Sequence, residues 1–485
     1  MRTHVTDYFL YRWRYLLGYL FAVAIVGTVI GIASFYVPGA LRSEEITSSL
    51  KSGALSMQSL EPSMVINLPY HILQRVSFML FGVSTLSIKL PSIILGTLTA
   101  LGIFLLIRTW FRRNIAVFAT ILSVTSAPFL FMVQDGTPGI MYSFLTIWIL
   151  FASTYVTRKK TFGTLWKVLA GVFMATILYT PLGIYLVVAV ITTAFFHPHI
   201  RYIIRKFSRP RLWIAIILGL ISLVPLVYAS IVDHDTLFTL LGIPTGTLHI
   251  KDNLIQIASI TAGVLPHSAS YLVQPLFSVG FVLLMVVGVY KLITYKYTAR
   301  SYITLTLTVF MIPLVIFNPE RVTYLFPLAC LMLALGIATM VTDWYKLFPR
   351  NPYARIAGLI PLTILMVGIA YSGAARYMNN YTYNPALLSH YSNDLRLFER
   401  NASVYDHAVA IVSHDELPFY SLVASYNKHF SATEAIPAES TTAIVTRAAY
   451  LNHESRLNNT QLERIVTNRF TNDSDRFYIY KLAVK

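Results

Sequence analysis

Residues 15–37 form the apolar stretch YLLGYLFAVAIVGTVIGIASFYV, which follows the basic segment RWR at 12–14. About 20 mostly apolar residues are enough to cross the hydrocarbon core of a bilayer. The stretch is longer than the apolar region of a secretory leader, and no small-residue cleavage site follows it. We therefore expect it to be a retained first membrane helix.

Similar stretches continue along most of the chain. They predict further membrane helices near 88–107, 114–133, 139–157, 212–230, 272–290, 301–317, 322–341 and 355–372. The long apolar stretch 168–196 is interrupted at Tyr179-Thr180-Pro181, so it crosses the membrane either once, tilted, or twice.

The basic loops decide between one crossing and two, because Lys and Arg in short loops stay on the cytoplasmic side. The most basic loop, 201–211, lies on the same side as the basic N-terminus only if 168–196 crosses twice. We therefore expect an α-helical multi-pass membrane protein with about eleven transmembrane helices. The break at Tyr179–Pro181 is expected near the outer face.

The composition of the 485-residue chain agrees with a membrane protein. Hydrophobic residues make up 56% and charged residues 12%, whereas soluble domains carry about 25% charged residues. This excludes an ordinary water-soluble enzyme and a disordered chain. The net charge of +17 arises mostly in the predicted cytoplasmic loops, so it indicates topology and attraction to anionic lipid, and we predict no nucleic-acid partner.

The chain is expected to have two domains. Residues 1–372 form the transmembrane domain, with long outer loops at 38–87 and 231–271. The first loop contains an amphipathic stretch, 69–81, which we expect to lie in the membrane interface. With a cytoplasmic N-terminus, residues 373–485 form an extracytoplasmic α/β domain. It is predicted to contain strands at 407–412, 442–445 and 477–480, and helices over 417–426 and from Asn459 onward.

Acidic residues stand out in two predicted outer loops. Glu44 and Glu45 follow the first membrane helix directly. Adjacent carboxylates repel each other and are costly near hydrocarbon, so the pair indicates a general base or a cation site. Asp135 lies in the tight turn 134–138. The alternatives are a solvated loop end for the pair and an ordinary Asp-Gly turn for Asp135.

A cation and two histidines are also predicted at the outer face. Arg321 lies in the turn 318–324, and a guanidinium can donate two hydrogen bonds to a phosphate. Its alternative role is to anchor the chain to lipid phosphate. His267 could bind a metal or pyrophosphate, although a lone outer histidine, like His71, is more often a surface residue. The sequence contains neither metal-ligand spacing nor a Walker motif.

Taken in order, these motifs resemble the integral-membrane glycosyltransferases of the GT-C fold, above all the protein O-mannosyltransferases and lipid A aminoarabinose transferases. The resemblance covers residues 15 to about 342. It depends on Glu44-Glu45 with Ser52-Gly53, Asn67-Leu68-Pro69-Tyr70 through Phe81-Gly82, Lys89-Leu90-Pro91-Ser92, Gln134-Asp135-Gly136 with Tyr142, Tyr179-Thr180-Pro181, and Arg321-Val322-Thr323-Tyr324-Leu325-Phe326-Pro327.

The resemblance implies a hexosyl- or pentosyltransferase of the cell membrane. It would move a sugar from a polyprenyl-phosphate donor to a hydroxyl of a protein, lipid or glycan acceptor at the outer face, with inversion. Glu44 would be the general base. Glu45 and Asp135 would orient the acceptor, or the three carboxylates would together hold a divalent cation. The donor phosphate would be bound by Arg321, His267 and Tyr324.

The chain departs from the family pattern at three points, and these keep two alternatives open. Glu44 stands where Asp is usual, Gln134 stands where Arg is usual, and the broken helix lacks a Lys. One alternative is a catalytically inactive GT-C relative. The other is a transporter or flippase, although such proteins place ionisable residues in matched halves, and this sequence has no visible duplication.

Overall fold

The computed structural model describes residues 9–55, 61–158, 163–206, 209–243, 249–262, 271–294, 298–348, 352–405, 408–427, 430–437, 442–457, 460–468 and 475–482. The chain divides into two compact units. The membrane unit comprises Met1–Ala33, Leu95–Val133 and Gly139–Met378. The sheet unit comprises Ser34–Ile94, Gln134–Pro138 and Asn379–Lys485.

The elements follow in chain order. The first part of the chain contains α1 (Phe9–Phe35), β1 (Leu41–Arg42), α2 (Ser43–Ala54), α3 (Pro62–Val65), α4 (Leu68–Phe81), α5 (Thr85–Trp110), α6 (Arg113–Val124) and α7 (Ala127–Gln134). The middle part contains α8 (Gly139–Arg158), α9 (Gly163–Thr176), α10 (Gly183–Phe196), α11 (Pro198–Arg205), α12 (Arg209–Ser222), α13 (Val224–Val232), α14 (His234–Leu241), α15 (Ile250–Ala262), α16 (Val279–Thr294), α17 (Ala299–Phe317), α18 (Phe326–Leu347) and α19 (Pro352–Tyr383). The last part contains α20 (Pro385–Leu388), β2 (Tyr391–Ser392), α21 (Asp394–Ala402), β3 (Ala408–Ile411), α22 (Leu417–Ser425), β4 (Phe430–Thr433), β5 (Thr442–Thr446), α23 (Arg447–Leu457), β6 (Gln461–Thr467) and β7 (Asp475–Lys481).

The membrane unit is built from long apolar helices. Among the described residues, six helices are long and apolar enough to cross a membrane, or up to nine spans if each bent helix pair counts as one. The bent pairs are α6–α7, α10–α11 and α12–α13, with bends of 64°, 90° and 43°. The apolar segments Gly163–Tyr179 and Val279–Thr294 are shorter. The helical multi-pass class is therefore confirmed, whereas the count of eleven stays a prediction.

The predicted break in the stretch 168–196 is confirmed. Helix α9 runs into a 3₁₀ turn, Ile177–Tyr179, and α10 begins at Gly183. Pro181 lacks a backbone N–H and cannot continue the helix. The chain then passes so close to itself that a Cβ on Gly183 would lie 1.9 Å from the Ile177 carbonyl oxygen. A Leu182 N–H bond to the Leu240 carbonyl, 2.8 Å, ties the break to α14.

The predicted helix 272–290 begins later than expected. Helix α16 starts at Val279, and residues 271–278 are not helical. Pro275 removes a donor from this stretch, and the Leu276 N–H bonds instead to the Ile260 carbonyl at 2.6 Å. Further along, α16 packs tightly on α18 through Gly288 and Gly336, where an added Cβ would strike the facing backbone. Small residues at such crossings let membrane helices approach closely.

The sheet unit contains a five-stranded sheet in the order β4-β3-β5-β7-β6. Strands β4, β3 and β5 are parallel, and β7 and β6 add to them in antiparallel fashion. The sheet packs on α21 and α22 in an apolar core that includes Phe398, Tyr420, Ile444 and Phe477.

This sheet confirms three predicted strands and corrects the rest of the C-terminal prediction. Strands β3, β5 and β7 match, within the described residues, and α22 matches the predicted helix 417–426. The helix predicted from Asn459 is wrong, because Gln461–Thr467 is strand β6. It is an edge strand with mostly exposed side chains, so it lacks the alternation that marks a half-buried strand. Strands β4 and β6 were not predicted, so the sheet has five strands instead of the three expected.

Helix α4 confirms the predicted amphipathic segment. Its apolar side chains Ile72, Leu73, Val76, Met79 and Leu80 are all exposed. Its polar residues His71, Gln74 and Ser77 are buried within the sheet unit. This inverted distribution is typical of a helix whose apolar face lies in a membrane interface.

Candidate functional site

The first turn of α2 holds the predicted acidic pair in the sheet unit. Strand β1 precedes it directly and pairs with β2, so that Arg42 stands opposite Tyr391. Arg42 is the N-cap residue of α2, and Glu44 and Glu45 follow in its first turn. Carboxylates in this position complement the positive end of a helix dipole.

Glu45 is fully buried and its carboxylate is engaged on both oxygens. Its Oε2 accepts the N–H of Arg42 at 2.7 Å, as in the reciprocal half of a capping box. Its Oε1 accepts the N–H of Gly136 at 2.6 Å and lies 3.5 Å from the Lys89 ammonium. Burial raises the pKa of Glu45 above its ordinary value, against the opposing effect of Lys89.

Close packing around the turn requires glycine at position 136. A Cβ at this position would lie 2.8 Å from Ile88 Cγ2 and 3.1 Å from Glu45 Oε1. The Asp-Gly turn therefore lets the loop between α7 and α8 reach the first turn of α2, which an Asp-Ala turn could not do without displacing the carboxylate.

Asp135, predicted in the turn 134–138, pairs with a residue next to the acidic pair. Its Oδ1 lies 2.9 Å from Arg42 Nη2 and 3.3 Å from Arg42 Nε, and both side chains are buried. Its Oδ2 accepts a hydrogen bond from the Thr137 hydroxyl. Burial acts to lower the pKa of Arg42, but Asp135 and the neighbouring acids outweigh it and raise this pKa above the ordinary value.

Lys89 and Gln134 complete the group. The Lys89 ammonium donates to the Ala40 carbonyl at 2.6 Å and to Gln134 Oε1 at 2.7 Å. Gln134 Nε2 donates to the Tyr391 hydroxyl at 3.3 Å. We call Arg42, Glu45, Lys89, Gln134 and Asp135 the carboxylate cluster; its two acids and two bases balance in formal charge.

A polar layer borders the cluster. Gln74 donates to the Gly136 carbonyl at 3.2 Å and accepts from Ser48 and Ser52 at 3.1 and 2.6 Å. Ser52 Oγ also lies 2.8 Å from Nδ1 of His71. His71, expected at the surface, is buried, because α4 turns its polar face inward. Burial, with a smaller contribution from Lys51, lowers the pKa of His71 to about 4.

Glu44 differs from its neighbour in exposure. Its side chain is 58% exposed, against 0% for Glu45, and its Oε2 lies 3.5 Å from Arg42 Nη1. The structure therefore brings Glu44, Glu45 and Asp135 together around Arg42. Of these three predicted residues, Glu44 is the carboxylate that is exposed to solvent.

The donor set of these acids does not fit a divalent cation. Glu45 and Asp135 already face Lys89 and Arg42, and a metal ion would add positive charge beside both bases. In the described part of the chain, no group of three or more His, Cys, Asp or Glu side chains is arranged to hold a metal ion.

The predicted phosphate-binding residues Arg321 and Tyr324 lie in the membrane unit, in the 3₁₀ helix Pro319–Leu325. Arg321 Nε lies 3.5 Å from Glu320, and its Nη1 is buried without a hydrogen-bond partner among the described residues. The ring of Tyr324 stacks on Tyr142 with centroids 4.3 Å apart. His267 lies outside the described residues.

Known proteins resemble this chain in their fold. A family model described as dolichyl-phosphate-mannose-protein mannosyltransferase matches residues 69–228, about a third of the chain. ArnT from Cupriavidus metallidurans is 11% identical and covers 96% of this chain and 98% of its own, with TM-scores of 0.51 in the apo state and 0.52 bound to undecaprenyl phosphate.

An oligosaccharyltransferase from Archaeoglobus fulgidus, tethered to an acceptor peptide, has a TM-score of 0.51 at 11% identity and covers 88% of this chain and 64% of its own. No curated protein sequence matches the chain significantly. This chain has the GT-C fold of integral-membrane glycosyltransferases. The predicted resemblance is confirmed.

Within this GT-C fold, sequence analysis missed Arg42 and Lys89 as parts of the site. The sequence patterns do not point to Arg42, and they include Lys89 only as part of the motif Lys89-Leu90-Pro91-Ser92. One signal could have identified Lys89, since an ionisable residue at the start of a membrane helix is costly and needs a partner. The unusual Gln134 also has a local explanation, because an arginine there would add a third base to a balanced group.

Proposed function

We propose that this GT-C protein transfers a sugar from a polyprenyl-phosphate donor to an acceptor hydroxyl at the outer face of the membrane, with inversion. The N-terminus would be cytoplasmic and residues 373–485 would form an extracytoplasmic domain. The observation that carries the proposal is the contrast between Glu44 and Glu45: the cluster fully engages one carboxylate and leaves its neighbour exposed beside Arg42.

Glu44 is the proposed general base. Its carboxylate takes the proton of the acceptor hydroxyl as the acceptor oxygen attacks the anomeric carbon from the face opposite the phosphate. The bond between the anomeric carbon and the phosphate oxygen breaks, and its electron pair stays on the phosphate. General base catalysis of this kind contributes about 10²–10⁴-fold to the rate.

The rest of the cluster serves to position Glu44. Arg42 Nη1 is 3.5 Å from the Glu44 carboxylate, while Asp135 holds the same guanidinium from its other side. Glu45 fixes the first turn of α2 through its bond to the Arg42 N–H. These contacts limit where the base can move, and orientation is a large part of enzymatic rate enhancement.

Arg321 is the proposed ligand of the donor phosphate, with Tyr324 and His267 as its partners in that role. A buried guanidinium nitrogen without a partner among the described residues is unfavourable unless an anion completes it. Preorganised cations act most strongly where negative charge develops, which in this reaction is the leaving phosphate. A lipid-phosphate donor is supported by the similar ArnT structure, which was determined with undecaprenyl phosphate bound.

A cavity in the sheet unit offers a place for the acceptor. It has a volume of about 220 Å³ and is lined by residues that include Ile46, Asp415, Tyr420 and Arg476. Ile46 follows the acidic pair on α2, so the cavity adjoins the helix that carries Glu44. Carboxylate, guanidinium and phenol groups suit an acceptor rich in hydroxyls, whether protein, lipid or glycan.

The test is transfer of radiolabelled sugar in purified membranes, with a panel of undecaprenyl- and dolichyl-phosphate sugars as donors. We expect transfer from at least one of them by the wild-type chain and a loss of about 10²–10⁴-fold in Glu44→Gln. Glu61→Gln, which removes another acidic residue of the same outer loop, is the matched control and should keep wild-type turnover.

Wild-type turnover in Glu44→Gln would overturn the assignment of the base. An anomer of the product with the donor's configuration, measured by NMR, would overturn inversion. If no donor in the panel supports transfer while the chain is folded and membrane-inserted, the inactive-relative alternative becomes the better interpretation.

A further inference from the structure

The membrane unit contains a large apolar cavity that the proposed reaction does not use. Its volume is about 660 Å³, within the usual range of ligand sites. It lies among α8, α9, α10, α12 and α17, and most of its lining is aliphatic. Three basic residues, Arg158, Lys167 and Arg300, also line it, whereas none of the described lining residues is Asp or Glu.

Two of these bases are held side by side. Arg158 donates to the Thr109 carbonyl at 2.6 Å, and Arg300 donates to the next carbonyl, that of Trp110, at 2.7 Å. The C-terminal end of α5 thus anchors both guanidinium groups by one nitrogen each. Like charges held this close repel each other, so an anion bound between them would be stabilised by both.

The cavity has the depth of one leaflet. Its lining follows α9 and the 3₁₀ turn after it, from Lys167 to Leu178, which corresponds to roughly 16 Å at the helical rise of 1.5 Å per residue. The hydrocarbon core of a bilayer is about 30 Å thick. The cavity therefore matches the length of an acyl chain from a single leaflet, with the basic residues at the headgroup end.

Two hydroxyls in the cavity lining differ from their neighbours in their hydrogen bonding. Ser153 Oγ and Thr193 Oγ1 are buried and accept or donate no hydrogen bond among the described residues. Hydroxyls nearby behave differently, since Thr154 and Thr157 bond to carbonyls of their own helix. An ester carbonyl of a glycerolipid would complete Ser153 and Thr193, whereas a polyprenyl tail is pure hydrocarbon and offers no acceptor.

We propose that this cavity binds one anionic glycerophospholipid, with its phosphate at Arg158, Lys167 and Arg300, its ester region at Ser153 and Thr193, and an acyl chain in the apolar interior. The basic residues belong to loops predicted on the cytoplasmic side, so the lipid comes from the cytoplasmic leaflet. This inference is independent of sugar transfer, because it concerns a ligand that the reaction does not consume.

The test uses the full chain in lipid nanodiscs and after detergent purification. Phosphatidylglycerol and phosphatidylcholine compete for the chain, and native mass spectrometry measures how much of each is retained. We expect one phosphatidylglycerol per chain and a preference that falls about tenfold in Lys167→Gln, the equivalent of one charge-assisted hydrogen bond. Arg113→Gln, at an exposed base that begins α6, is the matched control and should keep the preference.

A variant that fills the cavity distinguishes lipid bound inside it from lipid attracted to the protein surface. Val190 lines the cavity, whereas Val188 on the same helix does not and is 38% exposed. Val190→Trp should abolish retention of the lipid, and Val188→Trp should leave it unchanged. Thr193→Val, which removes a hydroxyl at nearly constant volume, should weaken retention several-fold.

Equal retention of the two phospholipids would overturn the proposal, as would retention that Val190→Trp does not change. Displacement of phosphatidylglycerol by a neutral polyprenol would also overturn it, and would assign the cavity to a polyprenyl tail. Because no sugar donor is present in the assay, failure here does not bear on the role of Glu44.

Discussion

In the carboxylate cluster each buried charge has an opposite charge beside it, whereas the three bases that line the apolar cavity share one sign. Lys89 faces Glu45 and Arg42 faces Asp135. Arg158 and Arg300 each donate to a backbone carbonyl, and the Arg300 guanidinium also lies over the Phe111 ring. A set of side chains with balanced charges is stable without a ligand and holds neighbouring groups in place. A set of bases without acids is stabilised when an anion binds. Charge balance therefore distinguishes residues that position their neighbours from residues that bind a ligand.

Breaking the balance of the cluster should have the largest effect. Lys89→Met leaves the buried Glu45 carboxylate without its ammonium, and we expect a loss of about 3–5 kcal/mol in the free energy of unfolding. Lys51→Met, at an exposed position of α2, is the control and should change it little. Unfolding in detergent, followed by a dye that reports exposed apolar surface, measures both.

The double variant Lys89→Met with Glu45→Gln sharpens this prediction. It removes both charges, so most of the lost stability should return. If the double variant is no more stable than Lys89→Met alone, packing and not charge balance accounts for the loss.

The next largest effect concerns pH. His71 has an ordinary pKa of 6.5 when unfolded and about 4 when folded, so the unfolded chain binds its proton more tightly. Stability should therefore be full above pH 6.5 and fall by about 3 kcal/mol as the pH drops toward 4. The pH dependence of the unfolding midpoint measures this. His71→Gln should show a shallower slope between pH 6.5 and 4, and an unchanged slope would exclude His71 as the cause.

Removing one hydroxyl from each region tests the comparison directly. Ser52 bonds to Gln74, His71 and the Ser48 carbonyl, so Ser52→Ala should cost about 1–3 kcal/mol of stability. The Thr193 hydroxyl has no hydrogen-bond partner in the part of the chain that the structure describes, so Thr193→Val should be near neutral in lipid-free detergent. Equal losses in the two variants, measured by the same unfolding assay, would contradict the distinction.

The smallest effect on stability is expected at Glu44. Its pair with Arg42 is exposed to solvent on the acidic side, and such pairs contribute at most about 1 kcal/mol. Glu44→Gln should therefore unfold like the wild type, whatever its effect on the proposed transfer activity. A stability loss comparable to that of Lys89→Met would show that Glu44 belongs to the balanced cluster.

Much of the fold is predictable because its signals are local. Apolar stretches mark the helices, Pro181 marks the break in the stretch 168–196, and buried runs mark strands β3, β5 and β7. Strand β6 escapes prediction because an edge strand exposes most of its side chains, so Gln461–Thr467 has no strong alternation. The late start of α16 depends on a hydrogen bond from Leu276 to Ile260, which no local pattern shows.

The site was predictable in its acids but not in its charge balance. The adjacency of Glu44 and Glu45 and the position of Asp135 at a turn are visible in the sequence. The pairing of Arg42 with Asp135 joins residues 93 positions apart, and the exposure of Glu44 against the burial of Glu45 follows from which face of α2 packs. These contacts form only in the folded sheet unit, so no local sequence pattern shows them.

The short pairing of β1 with β2 has a consequence for biosynthesis. Gln134 reaches the hydroxyl of Tyr391 across 257 positions of the chain, and Arg42 pairs with the same residue through the backbone. At about 5–20 residues per second, a ribosome needs roughly 10–50 s to synthesise the segment between Gln134 and Tyr391. Gln134 and strand β1 therefore lack Tyr391 until near the end of translation, and the nascent polypeptide cannot form the β1–β2 pairing beside the carboxylate cluster before then.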